Sequence, residues 1–86
     1  MRLNLSMLEG LRGRRGIDII VLLARRGEAL TKDEMVNALK SKKGDQIRKW
    51  VNKLVELGWL EEIPGRPNKY KLAELQKLKE RLFPDC

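Results

Sequence analysis

Residues 45–72 read DQIRKWVNKLVELGWLEEIPGRPNKYKL. Two periods meet in this stretch. Stepping about 100° per residue from Asp45 to Leu57, Ile47, Trp50, Val51, Leu54, Val55 and Leu57 fall on one broad arc. Asp45, Gln46, Arg48, Lys49, Asn52 and Lys53 fall on the opposite one. The spacing predicts an amphipathic helix over 45–57, with Gly58 as the residue that ends it. Beyond Gly58 the period drops to two. Trp59–Ile63 reads as a strand, Pro64–Asn68 as a turn and Lys69–Leu72 as the returning strand. Tyr70 and Leu72 face inward in that reading, Lys69 and Lys71 outward.

Upstream, Thr31-Lys32-Asp33-Glu34 carries a capping box, and Leu30 with Met35 fits a hydrophobic staple. A helix over about 31–40 follows, with Met35, Val36 and Leu39 on its buried side. An earlier helix is expected over about 17–26. Ile17, Ile20, Val21 and Ala24 recur at helical spacing, and Arg25-Arg26-Gly27 makes a cationic end. Ile19, Leu22 and Leu23 widen its apolar surface almost all round, so it is either central or shared with a partner. Glu28-Ala29-Leu30 reads as a short extended connector. Residues 1–16 read as a basic N-terminal arm: Ser6 and Glu9 fit one capped helical turn, but Gly10, Gly13 and Gly16 oppose a long helix around Arg12, Arg14 and Arg15. Downstream, 73–83 is a last helix with a narrow stripe of Leu75, Leu78 and Leu82, stopped by Pro84. The fold class expected is mainly α with a small antiparallel β-hairpin, an α+β domain.

Composition narrows the function. The 86 residues hold 19 Lys and Arg against 12 Asp and Glu, for a net charge of +7 and a pI near 9.9. Such a balance favours a polyanionic partner. The excess is uneven: residues 1–30 carry six cations and three acids, residues 31–72 ten and six, and residues 73–86 three and three. Histidine is absent and Cys86 is the single cysteine. General-base catalysis by histidine, a Cys/His zinc site and an internal disulfide are thereby excluded. The reading is of a non-enzyme without cofactor, metal or small-molecule ligand. The longest apolar run, Ile19–Ala24, is far short of the ~20 residues that span a bilayer. A cytoplasmic, nucleoid-associated location is expected, and the abundance of charge leans towards a thermophilic source.

Two helices joined by a short turn, the second with a basic outer face, form a helix-turn-helix, and a hairpin directly after it forms a wing. The run Ile47-Arg48-Lys49-Trp50-Val51-Asn52-Lys53-Leu54-Val55-Glu56-Leu57-Gly58-Trp59-Leu60, then Gly65-Arg66, then Tyr70-Lys71-Leu72 resembles a winged-helix DNA-binding domain of small bacterial, archaeal and archaeal-virus regulators. The likeness covers about residues 17–72. It implies a winged helix-turn-helix over 17–72; residues 73–86 lie beyond it, as a C-terminal helix whose leucine stripe is available for dimerisation. It departs from the family at Ser41-Lys42-Lys43-Gly44, which lacks a small apolar plug, and at Trp50, where relatives often carry a polar, groove-facing side chain. The Asn and Tyr pattern of relatives that bind left-handed DNA does not fit Arg48 and Asn52, so B-form DNA is the implied target.

The expected partner is therefore double-stranded DNA, with helix 45–57 in the major groove and the turn 64–68 on backbone or minor groove. Residues 42–53 hold five cations against one acid, whereas a merely solvated helix face mixes signs. Gln46 and Asn52 suit adenine, and Arg48 and Lys49 suit guanine. Lys42, Lys43 and Lys53 suit phosphates. Arg66, flanked by Gly65 and Pro67, is held out at the turn, with Asn68 and Lys69 behind it. Trp50 and Trp59 lie on apolar arcs and are expected to fill the core, not to stack on bases. Leu75, Leu78 and Leu82 are expected at a homodimer interface, which would present two helices to a palindromic site. A protein-interaction module within a replication or transcription assembly, and an architectural DNA binder, are the competing readings.

Overall fold

The computed structural model describes residues 5–11, 14–40 and 42–84, with Arg14 described by its backbone alone. In chain order the elements are α1 (Leu5–Glu9), α2 (Arg14–Arg26), β1 (Leu30–Thr31), α3 (Lys32–Ala38), α4 (Gly44–Leu57), β2 (Leu60–Ile63), β3 (Lys69–Leu72) and α5 (Leu75–Leu82). The fold is α+β: mostly helical, with one small antiparallel sheet.

The core forms where the apolar arcs of three helices meet one face of that sheet. Ile19 and Leu23 of α2, Met35 of α3, and Ile47, Val51 and Leu54 of α4 are buried together with Leu30, Leu60 and Tyr70. Trp50 and Trp59 pack against this cluster from its margin and are only partly buried. The arc assigned to α4 from periodicity is the face that enters the core. The sheet order is β1-β3-β2, so β3 is central. Tyr70 pairs with Leu30 on one side and Glu62 on the other, and Lys69 with Thr31 and Ile63.

Local chemistry sets the joints. Thr31 caps α3: its Oγ1 accepts from the Glu34 N–H at 3.1 Å, and Glu34 Oε1 accepts from the Thr31 N–H at 3.0 Å. Gly58 ends α4 in the left-handed region at φ 94°, where L side chains are strained. Its N–H donates to Val55 O, and the Trp59 N–H reaches back to Leu54 O at 3.0 Å. These are the two bonds of a Schellman motif, and they turn the chain from α4 straight into β2.

Several expected boundaries move. The segment 5–11 is not a free arm. Met7 is buried, its carbonyl accepts from Trp59 Nε1 at 3.2 Å, and Gly10 lies so close to Leu57 that a Cβ there would sit 2.3 Å from Leu57 Cδ1. Residues 1–4, 12 and 13 of the expected arm lie outside the described residues. The helix expected from Ile17 starts at Arg14 and runs through Gly16, which is buried under Trp50; a Cβ would come within 3.0 Å of Trp50 Cζ3. That glycine allows a close approach and does not break the helix. The helix expected to reach Lys40 stops at Ala38, since Lys40 takes a positive φ of 51°. β2 starts at Leu60, one residue late, and α5 spans 75–82, because the Ala73 N–H is still bonded to Trp59 O. Leu30, the end of the expected connector, and Thr31 supply a third strand to what was expected as a bare hairpin. No helix among the described residues is long and apolar enough to cross a membrane.

Two measurements test the α3 joint. Thr31→Ala should lower unfolding stability by about 1 kcal/mol, read from urea midpoints. Hydrogen bonding with Thr31, backbone first and side chain second, holds the Glu34 carboxyl below its ordinary pKa, and the charges of Lys69 and Arg26 add to it. A depressed folded pKa adds stability that is complete above roughly pH 4.3, the ordinary glutamate value, and disappears as pH falls through the folded value. Glu34→Gln keeps the box geometry, so its deficit against the parent should be largest near neutrality and shrink on acidification. A deficit independent of pH would show that the Glu34 charge contributes nothing.

Candidate nucleic-acid interface

The outward face of α4 carries Gln46, Arg48, Lys49, Asn52 and Lys53, all exposed, and exposed Lys42 and Lys43 precede its first turn. The hydrophobic arc of the same helix fixes this presentation: with Ile47, Val51 and Leu54 in the core, Arg48, Lys49, Asn52 and Lys53 between them point to solvent. Gly44 brings the start of α4 against α3, where a Cβ would lie 3.4 Å from Val36 Cγ1.

Arg48 is not a free cation. Its Nη2 donates to Asp33 Oδ1 in the first turn of α3, and its Nη1 lies 3.6 Å from Asp45 Oδ1. The bond to Asp33 and then the Asp33 charge push the guanidinium pKa up, with Asp45 adding less. Both side chains of the closer pair remain well exposed, at 47% and 74%, so the pair adds little to fold stability. It does hold the guanidinium at one place beside α3.

The hairpin tip meets that place. Thr31, Lys32, Asp33, Arg48, Pro67, Asn68 and Tyr70 line one open cleft of about 390 Å³. The tip is braced from within. Asn68 Oδ1 accepts from the Gly65 N–H at 2.8 Å, Asn68 Nδ2 donates to Glu62 Oε1 at 2.8 Å, and the Tyr70 hydroxyl donates to the same oxygen at 3.0 Å. Burial, then the bond to Glu62 and its charge, raises the Tyr70 pKa, so the hydroxyl stays protonated as the donor. Arg66 stands exposed at the tip beside Pro67. Among the described residues Arg66, Lys42 and Lys49 have no hydrogen bond or ion pair. Lys53 Nζ lies 4.8 Å from the Trp50 ring centroid, and Lys32 Nζ lies 5.4 Å from that of Tyr70.

No family model, curated protein or solved structure matches the chain. What the site can do follows from its own residues. It combines cations, amide groups and a convex helix with a cation-tipped hairpin, a set of donors suited to an extended anion. No group of three or more metal-ligating side chains occurs among the described residues.

The structure thus brings Arg48 and Asn68 to one cleft and places Lys42, Lys43, Gln46, Lys49, Asn52 and Lys53 along the α4 side. Arg66 and Lys69 are exposed on the hairpin. Asn68 differs from its expected role, because both ends of its amide are engaged in holding the turn. Sequence reading passed over Lys32 and Asp33. Both looked like ordinary first-turn residues of α3, and the Arg48 contact spans 15 positions. The Leu75, Leu78 and Leu82 stripe is divided: Leu75 is 69% exposed, while Leu78 and Leu82 are half-buried. α5 is tied down by Arg81 Nη1, which donates to Gly58 O, and by Lys77 Nζ, 2.9 Å from Glu61 Oε1. Cys86 lies outside the described residues.

Asp33→Asn should release Arg48 and remove one negative charge from the cleft. The variant should elute from heparin at higher salt than the parent, with an unchanged far-ultraviolet spectrum. Equal elution would mean that the ion pair does not restrain this face.

Proposed function

We propose that the chain is a winged-helix protein that binds double-stranded B-form DNA without chemistry or cofactor and acts as a transcription regulator associated with the nucleoid. The observation that carries this reading is the shared cleft: the start of α3 with Arg48 of α4, and Pro67, Asn68 and Tyr70 of the hairpin, line one surface. The element order α2, β1, α3, α4, β2, β3, with β1 paired to β3, supports the winged-helix resemblance. Under this reading α4 enters the major groove, which is wide enough for a helix. Gln46 and Asn52 face adenine edges, and Lys49 faces guanine. Arg48 reaches a base only when its bond to Asp33 loosens. Lys42, Lys43, Lys53 and Lys69 meet phosphates, which set register without reading sequence. Arg66 follows the backbone into the adjacent minor groove. The protein-interaction alternative requires a neutral or acidic α4 face, and this face is cationic.

The test is fluorescence anisotropy on duplexes recovered from random-sequence DNA. With about six phosphates neutralised, affinity should fall roughly a thousandfold between 50 and 200 mM salt. Lys49→Ala should lose about 1–3 kcal/mol on the preferred site and relax base choice at one position. Arg66→Ala should weaken all duplexes alike and reduce the salt slope by about one. A flat salt response, or two variants that bind as the parent does, would remove the DNA-binding reading.

A further inference from the structure

One surface is left uncovered by the fold and unused by the proposed function: the outer face of α2. Ile17 is 48% exposed and Val21 41%, and Ala24, one turn on, is exposed too. They form a stripe opposite the Gly16, Ile19 and Leu23 face that is buried in the domain. Asp18 and Arg25 run alongside it, both exposed. Among the described residues neither has a hydrogen bond or ion pair. Two exposed charges of opposite sign thus flank the apolar stripe.

Their placement has a symmetry. At about 100° per residue, Ile17 and Ala24 lie to one side of Val21, and Asp18 and Arg25 lie to the other. Along the axis, Ile17 is four residues before Val21 and Ala24 three after; Asp18 is three before and Arg25 four after. Consider a two-fold axis that sets α2 antiparallel to a copy of itself with Val21 against Val21. Such an axis reverses the direction along the helix and keeps the lateral side. Ile17 then meets Ala24 of the second copy, and Asp18 meets Arg25 of the second copy, each contact occurring twice. This is the self-complementarity that an isologous interface requires. A different protein as partner would need no such match.

We propose that α2 is a homodimerisation surface, with Val21 on the two-fold axis, Ile17 and Ala24 as its apolar flank and Asp18–Arg25 as its reciprocal ion pairs. Asp18, Val21, Leu22 and Arg25 also line a shallow groove with Ala38, the last residue of α3, and Leu39 after it, so the second helix has a bed that extends beyond α2. A 13-residue helix is only about 20 Å long, and a contact of that length is smaller than a standard interface. The dimer is accordingly a weak one, formed in a concentration-dependent way. Charge complementarity sets its antiparallel register, because a parallel two-fold pair would set Asp18 against Ile17 and Arg25 against Ala24 of the second copy and leave both charges unpaired.

The inference is independent of DNA, and it is tested without DNA by sedimentation of the full chain under reducing conditions, from low to high micromolar concentration. The parent should pass from monomer to dimer over that range. Val21→Glu should remain monomeric with an unchanged far-ultraviolet spectrum, since Val21 is 41% exposed and lies outside the buried core cluster. Asp18→Arg and Arg25→Glu should each raise the dissociation constant by roughly tenfold, and the double exchange should return it to within a few-fold of the parent. Leu75→Ser should leave dimerisation unchanged. A parent that stays monomeric throughout would overturn the proposal. So would a dimer that survives Val21→Glu, one lost in Leu75→Ser, or a double exchange that restores nothing.

Discussion

The fold hangs on three residues, Leu57-Gly58-Trp59, where α4 turns into β2. Gly58 sits at φ 94°, and a Cβ there would come within 2.9 Å of Arg81 Cδ. Its carbonyl accepts from Arg81, which anchors α5 and lays a cation at the negative end of the α4 dipole. Trp59 donates its indole N–H to Met7 O, and its carbonyl accepts from the Ala73 N–H, which ties α1 and the end of β3 to the same point. Leu57 fills the space that Gly10 leaves open. One left-handed residue therefore joins the helix, the sheet and both flanking helices. Its angle also decides where the hairpin goes, and with it the position of Arg66 relative to Lys49.

The second constraint is Tyr70. Its ring is buried in the core, so β3 cannot slip by one residue without turning that ring to solvent. Its neighbours Leu30 and Glu62 set the register of both other strands. Its hydroxyl holds Glu62, and Glu62 holds Asn68, which closes the turn on the Gly65 N–H. The hairpin tip is thus connected to the core through side chains as well as through the ladder. Since Tyr70 and Asn68 also line the cleft shared with Arg48, the same residues that brace the hairpin shape the surface it offers.

The parts legible in the sequence are those whose causes are local. The α4 arc, Gly58, the Thr31–Glu34 box and the strand Lys69–Leu72 each declare themselves within a few residues, by a period or by a side chain that serves its own backbone. The parts that were not legible are set by distant contacts. Met7 is buried because Trp59, 52 positions away, takes its carbonyl. Gly16 reads as a helix breaker until Trp50 is seen lying over it. β1 is only two residues long, too short to show a period of two, and exists because β3 offers it an edge. At the candidate interface, residue type identified the basic face, while the ion pair from Arg48 to Asp33 and the bracing role of Asn68 depend on packing that no local pattern encodes.

That ion pair changes how the α4 face should be understood. Counting cations along 42–53 gives a uniformly positive strip, but the structure divides it. Arg48 is engaged by two carboxylates, and Lys53 lies over the Trp50 ring, while Lys42 and Lys49 are unengaged. An exposed pair such as Arg48–Asp33 contributes little to holding the fold, so stability does not explain its presence. Under the proposed function its consequence falls on binding. Any polyanion approaching α4 must compete with Asp33 for Arg48, and it meets a negative charge if it reaches the start of α3. Under the proposed function this makes Lys49 the readily available reader on α4, with Arg66 its counterpart on the hairpin, and leaves Arg48 to a ligand close enough to displace a carboxylate. Discrimination between a loosely held and a fully seated anion is then built into the α3–α4 contact, and the hairpin adds to it by placing a second cation that needs no such exchange.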